Sequence, residues 1–206
     1  MDAHITFVLD SSGSMHSIAD DTIGGFNAFL DEQRAEDGAA TVSLFDFDDR
    51  VSQVYRGMDL REAENLTRAT YTPGGQTALH DAMLQAITDT EQLLAERDAT
   101  PETVVIVVLT DGQENASQTP IKPLREQIKA KQTGGWEFLF IGANQDAVLA
   151  ASEFGVTRDR ALTMDHSGDG AKSAIESTSR IINEIRNDGF SDGYQDADRD
   201  RQRDAS

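Results

Sequence analysis

The sequence predicts an α/β protein: a Rossmann-like doubly wound sheet, mostly parallel with one antiparallel edge strand, and helices on both faces. Three observations predict it. Short β-branched and aromatic runs alternate with segments of helical period, as repeated β–α–β units require. The run Val104-Val105-Ile106-Val107-Val108-Leu109 is apolar at every position, which suits a central parallel strand covered above and below. Two further runs are separated only by Asp48-Asp49-Arg50, too short for a parallel crossover, so they form an antiparallel hairpin at a sheet edge.

In chain order, the first strand is expected at about 5–10, where Ile5, Phe7, Val8 and Leu9 precede a Ser/Gly turn. Ile23, Phe26 and Leu30 then mark a helix, followed by the hairpin strands at about 41–47 and 51–55. Leu79, Met83, Ala86, Ile87 and Leu94 carry a second helix, and the central strand follows at 103–110. Ile121, Leu124 and Ile128 mark a third helix. A strand at 136–142 comes next, whose Trp136, Phe138 and Phe140 read as core packing. A shorter helix near 145–153 and a strand at 160–164 lead to the longest apolar stripe, Ala171, Ala174, Ile175, Thr178, Ile181, Ile182 and Ile185. Residues 1–186 are expected to form one domain. From Asn187 the apolar residues nearly vanish and Asp alternates with Arg, so 187–206 reads as an acidic, solvated and disordered tail that cannot offset its ordering entropy.

Composition narrows the function. With 206 residues the chain can bury roughly 70% of its unfolded surface without staples. The absence of cysteine excludes disulfides, thiolate metal sites and a Cys nucleophile. Against 37 Asp and Glu stand 18 Lys and Arg, and the net charge of −19 repels nucleic acid and anionic lipid, so neither is expected as a partner. Fourteen of the 18 cations are Arg and four are Lys. That balance reads as a halophilic surface, suited to molar salt where the Debye length falls to about 3 Å, or as the product of an Arg-biased genome. Membrane insertion is not expected, since the longest apolar run is far below the ~20 residues of a spanning helix. Met1 to His4 enter the first strand with no basic or long apolar leader, which leads to the expectation of a cytoplasmic or particle-associated protein.

In an open α/β sheet, ligands bind outside the carboxyl ends of the strands. Three segments there carry polar residues: Asp10-Ser11-Ser12-Gly13-Ser14 after the first strand, Thr110-Asp111-Gly112 at the end of the central strand, and Pro73-Gly74-Gly75-Gln76-Thr77 before the second helix. Two carboxylates and three hydroxyls are hard oxygen donors suited to Mg²⁺ or Mn²⁺. If the first and central strands are neighbours, Asp10, Ser12, Ser14, Thr77 and Asp111 can reach one ion. Taken singly, the same residues also read as helix N-caps (Asp10, Ser12, Thr77) or as a turn (Asp111-Gly112).

The combination, in this order, resembles the von Willebrand factor A domain family, whose metal-ion-dependent adhesion site reads D-x-S-x-S, then a separate Thr, then Asp-Gly. The resemblance covers about residues 4–186 and implies the strand order 3-2-1-4-5-6. It implies direct coordination of a divalent cation by Ser12 and Ser14, a Thr77 that binds directly or through water, and Asp10 and Asp111 acting through waters and hydrogen bonds. It further implies a protein-binding module rather than an enzyme, completed by an Asp or Glu of a partner protein. The resemblance also leaves open membership of a larger assembly, an AAA+ ATPase complex or a virus particle.

Other signals weigh less. Asp165, Ser167, Asp169 and Glu176 fall at the oxygen-ligand positions of a calcium loop, but a strand precedes them, and Ser167 or Asp169 at a helix start explains the segment without an ion. His4, His16, His80 and His166 show no metal spacing, although His16 and His80 are near the site in sequence. Asp46, Asp48 and Asp49 read as a solvated hairpin edge. The alternative function is a Mg²⁺-dependent phosphotransferase or phosphatase of the haloacid dehalogenase type with Asp10 as nucleophile; such enzymes keep a second carboxylate two residues on, where this chain has Ser12.

Overall fold

The computed structural model describes residues 2–97, 101–143 and 147–205. Six strands form one mixed sheet in the order β3-β2-β1-β4-β5-β6. They are β1 (Ala3–Asp10), β2 (Ala40–Phe47), β3 (Val51–Asp59), β4 (Thr103–Thr110), β5 (Trp136–Ala143) and β6 (Ala161–Met164). Every neighbouring pair is parallel except β2 and β3. The hairpin strand β3 runs past the expected 55 to Asp59. Register shifts between Val42 and Phe45 absorb the irregularity that masks the strand in the sequence, and Gly57, at φ 58°, donates its N–H to Ser43 Oγ at 2.9 Å.

Helices cover both faces. On one side α1 (Ala19–Ala35) and α5 (Gly168–Asp188) pack on Ile5, Phe7 and Leu9 of β1 and on Val105 and Val107 of β4. Phe7 meets Phe26 and Phe29 edge-on, with ring centroids 5.2 and 4.8 Å apart. On the other side α2 (Leu79–Ala95), α3 (Ile121–Thr133) and α4 (Ala147–Glu153) cover Val8, Ile106, Val108 and Phe140. The alternation along β1 divides the two cores, as the strand period of two requires. Residues 145–146 of the expected fourth helix lie outside the described residues.

The expectation of a disordered tail is corrected. Helix α5 runs to Asp188 and stops at Gly189, whose φ of 77° suits the left-handed C-cap. The chain then turns back, and α6 (Asp196–Asp204) packs against α5 and β6. Composition concealed this because the charges pair with one another. Asp198, 2% exposed, accepts from Arg180 at 2.7 Å and from Arg201, and a capping box with Gln195 closes the helix start. Burial works against the Asp198 charge, but the Gln195 amide and the two guanidiniums outweigh it and hold its carboxyl below the usual carboxylate range. Tyr194 supplies the missing apolar anchor: it is buried, and its hydroxyl meets that of Thr178 at 2.7 Å.

No described helix is long and apolar enough to cross a membrane.

Candidate metal centre

Strands β1 and β4 are adjacent and in register to Leu9 opposite Leu109, so the loops after both leave the same edge of the sheet side by side. The chain's next strand, β2, lies on the other flank of β1, which makes this edge the point where the strand order reverses. Asp10 is fully buried there. Its Oδ1 accepts the Ser12 N–H at 2.7 Å and its Oδ2 accepts the Thr110 hydroxyl at 2.5 Å. Ser12 Oγ lies 3.2 Å from Ser14 Oγ, and Ser14 Oγ donates to Asp111 Oδ1 at 2.5 Å. A continuous polar chain thus links Asp10, Ser12, Ser14 and Asp111. Its two ends are buried, and the chain opens to solvent at Ser14, which is exposed.

The loop bearing Thr77 is laid onto this chain by backbone bonds: Gly74 N–H donates to Ser11 O at 2.8 Å, and Gly13 N–H to Gly75 O at 3.2 Å. Gly75 has φ 74°, and a Cβ there would stand 2.5 Å from Asp49 Oδ1. The hairpin aspartates therefore flank this loop as well as edging the sheet. Asn115 holds Thr77 twice, accepting its N–H at 2.9 Å and donating to its carbonyl at 3.1 Å. A Cβ on Gly112 would come within 2.8 Å of Thr77 Oγ1, so the glycine after Asp111 lets the threonine hydroxyl approach.

None of these hydroxyls is spent on a cap. Ser12 precedes the short 3₁₀ helix Gly13–Ile18 without capping it through its side chain, and the N-cap of α2 is Ala78. The capping alternative therefore does not account for Ser12 or Thr77. It does account for Ser167, which accepts the Gly170 N–H at 3.1 Å at the start of α5.

Electrostatics set this site apart from an ordinary buried network. Burial pushes the Asp10 carboxyl up, the Thr110 and Ser12 hydrogen bonds pull it down, and the nearby Asp111 charge adds to the upward push, which wins. Among the described residues, no three His, Asp or Glu side chains gather closely enough to hold a metal alone. Any cation here must draw on the hydroxyls. In an octahedral shell with bonds of about 2.1 Å, adjacent donor atoms stand about 3 Å apart. The 3.2 Å between the Ser12 and Ser14 hydroxyls is close to that edge, so these two donors fit one shell, with Asp111 hydrogen-bonded behind Ser14.

Several supporting residues escaped the sequence reading. Tyr71 donates its buried hydroxyl to Asp10 O. Glu114 folds the loop after β4 by accepting from the N–H groups of His80, Ala116 and Ser117 and from the Ser117 hydroxyl. Burial opposes that charge, yet the bonds prevail and hold the Glu114 carboxyl low. His166 Nε2 sits 2.8 Å from Asp111 Oδ2. Its position just past β6 was the available signal, since the strand-end rule applies to β6 as it does to β1 and β4. Of the two histidines near the site in sequence, His16 is exposed, and His80 packs edge-on against Phe154 while its Nδ1 meets Thr119 O at 3.0 Å. Beside Gly112 an open groove of about 400 Å³ runs between α2 and α4, with Leu79, His80, Leu149 and Phe154 among its lining.

Residues 4–177 match the von Willebrand factor type A domain. The chain belongs to that family. No curated protein matches it. Among solved structures, this von Willebrand A domain is similar to proximal thread matrix protein 1 from the mussel byssus with a zinc-occupied metal-ion-dependent adhesion site motif, at TM-score 0.64 and 17% identity over 88% of this chain and 46% of that one. It is also similar to the manganese-loaded TRAP protein of Plasmodium vivax, at TM-score 0.60 and 17% identity over 86% and 73% of the two chains. The pilus adhesin SpaC of Lactobacillus rhamnosus GG aligns at TM-score 0.67 and 16% identity over 88% and 30%. The chain spans under half the length of the mussel protein it matches. At these identities the likeness establishes the fold.

Proposed function

We propose that this von Willebrand A domain is a divalent-cation-dependent protein-binding module, and not a catalyst. Ser12, Ser14 and Thr77 hold Mg²⁺ or Mn²⁺ through their hydroxyls, Asp10 and Asp111 act chiefly through hydrogen bonds and water, and the partner protein presents an Asp or Glu. The observation that carries this reading is the polar chain from buried Asp10 through Ser12 and Ser14 to Asp111, drawn from two strand ends and open to solvent at Ser14. When bound, the cation supplies an electrophilic position for an outside carboxylate, because neutral hydroxyls leave its charge incompletely balanced. The protein's part is to hold the donors. Thr110 and Ser12 fix both oxygens of Asp10, Asn115 fixes Thr77, and Gly75 and Gly112 let the loops close together. The groove beside Gly112 gives the partner chain room next to the carboxylate. The zinc and manganese named for two neighbours support a divalent cation here.

The phosphotransferase alternative loses ground on the same geometry. A nucleophilic carboxylate needs an oxygen facing its substrate, whereas Asp10 is fully buried with both oxygens engaged.

Titration with Mn²⁺, followed by electron paramagnetic resonance, is expected to show one site in the wild type and none in Asp111→Ala. Capture of proteins by the immobilised chain is expected in Mg²⁺ and to disappear in EDTA or with Asp111→Ala. A wild type that binds no Mn²⁺, or captures the same proteins in EDTA, would overturn the reading.

A further inference from the structure

A third strand end reaches the carboxylate that β1 and β4 share. His166 follows β6 in the stretch Asp165-His166-Ser167, and its Nε2 lies 2.8 Å from Asp111 Oδ2. An ionised carboxylate only accepts hydrogen bonds, so the imidazole N–H is the donor. The other oxygen, Oδ1, receives Ser14 Oγ at 2.5 Å. The Asp111 side chain, with no exposed surface, is therefore gripped from both sides, by a hydroxyl of the first loop and an imidazole of the last. Rotation that improves one bond lengthens the other.

The residues on either side of His166 are tied to the C-terminal helix. Asp165 N–H donates to Gln202 Oε1 at 3.0 Å, and Ser167 Oγ reaches Ala205 O at 3.3 Å. Gln202 Nε2 donates in turn to Gly170 O at 3.2 Å, so one buried glutamine spans the turn that presents the imidazole. Helix α6 lies beyond residues 4–177, the part that matches the family.

We propose that His166 is a positioning residue of the cation site, fixing the orientation of Asp111, and that α6 acts on the site by holding the turn that carries His166. This rests on the reading of the loop cluster as a cation site. Asp111 in turn orients the Ser14 hydroxyl, and loss of such outer hydrogen bonds around a metal's ligands typically costs about 10- to 100-fold in metal affinity.

The test measures the Mn²⁺ dissociation constant of the full chain by calorimetry, with cation-free thermal unfolding of each variant alongside. His166→Ala is expected to weaken Mn²⁺ binding by about 10- to 100-fold, and His166→Gln, which keeps an N–H donor of similar reach, to restore most of it. Gln202→Ala is expected to weaken binding less, and His166→Ala with Gln202→Ala to be no weaker than His166→Ala alone. A role confined to packing would lower cation-free stability without this pattern of rescue. Unchanged affinity in His166→Ala, with binding abolished in Asp111→Ala, would overturn the role of His166 and leave the cation site standing. Equal losses in His166→Gln and His166→Ala would overturn the hydrogen-bond role, and additive losses in the double variant would overturn the part of α6. A wild type that binds no Mn²⁺ would overturn both the inference and the site beneath it.

Discussion

The two ends of strand β1 each bury a polar cluster, and they are built on opposite principles. At the amino end, His4 is buried with Nδ1 2.9 Å from Thr41 Oγ1 and Nε2 3.1 Å from Thr6 Oγ1, and Thr6 Oγ1 reaches Thr90 Oγ1 at 2.8 Å. Hydroxyls and a neutral ring satisfy one another, and burial, helped by the Arg97 charge, drives the His4 pKa down to about 3. At the carboxyl end, Asp10 and Asp111 bring like charges together, and the polar chain between them opens to solvent at Ser14. The first cluster holds no carboxylate, and its ring and hydroxyls pair with one another and, through Thr41, with Arg97, so it contributes stability. The second concentrates negative charge where a cation can relieve it. Polar burial by itself does not mark a functional site; the sign of the net charge and an opening to solvent do.

The largest expected effect separates the two ends by cation. Mn²⁺ at 1,000 times its dissociation constant should raise unfolding free energy by ~4 kcal/mol in the wild type. Asp111→Asn should gain none, while a substitution at His4 should leave the gain whole. Urea unfolding in Mn²⁺ and in EDTA measures this, and a gain that survives in Asp111→Asn would break the comparison.

Acid separates the ends by sign. His4 is neutral in the folded state down to about pH 3, whereas in the unfolded chain it protonates near 6.5. The unfolded state therefore binds the extra proton across that window, and stability is full above 6.5 and falls as pH drops toward 3. Between pH 7 and 5 the expected loss from this group is ~2 kcal/mol. Asp10 works the other way: its raised pKa means the folded state takes up the proton first, so acidification relieves its cost. Urea unfolding of wild type and His4→Asn at both pH values, without cation, isolates the His4 part. An equal loss in the variant would assign the slope elsewhere.

The sheet and the carboxyl end of β1 were legible in the sequence, and the amino-end cluster was not. The fully apolar Val104–Leu109 run identified a central strand, and the short Asp48-Asp49-Arg50 connection identified the antiparallel edge. Asp10, Ser12, Ser14, Thr77 and Asp111 stood out only in combination, as residues beyond the strand ends in an order that resembles the family's metal motif; singly, Asp10, Ser12 and Thr77 read as caps and Asp111 as a turn residue. What stayed hidden depends on pairing across distance. The Asp198 contacts with Arg180 and Arg201 turn a polar, low-hydropathy stretch into a docked helix, and composition averages cannot register who pairs with whom. His166 escaped for the same reason, since 55 residues separate it from the carboxylate it touches. Thr6 and Thr90, 84 residues apart, looked like ordinary strand and helix threonines.

The smallest expected effect is the sharpest test, because one isosteric change can be made at each end. Thr90→Val keeps the shape of a buried side chain and removes the hydroxyl facing Thr6, which retains His4 as a partner at 3.1 Å. The expected cost is ~1 kcal/mol of stability, with Mn²⁺ affinity unchanged. Thr77→Val makes the same change beside Gly112, while Asn115 still holds the backbone on both sides. There the loss should appear in Mn²⁺ affinity, with a smaller change in cation-free stability than Thr90→Val shows. If both variants lose stability equally and neither alters cation binding, Thr77 belongs with the structural cluster, and the division of β1 into a structural end and a poised end fails.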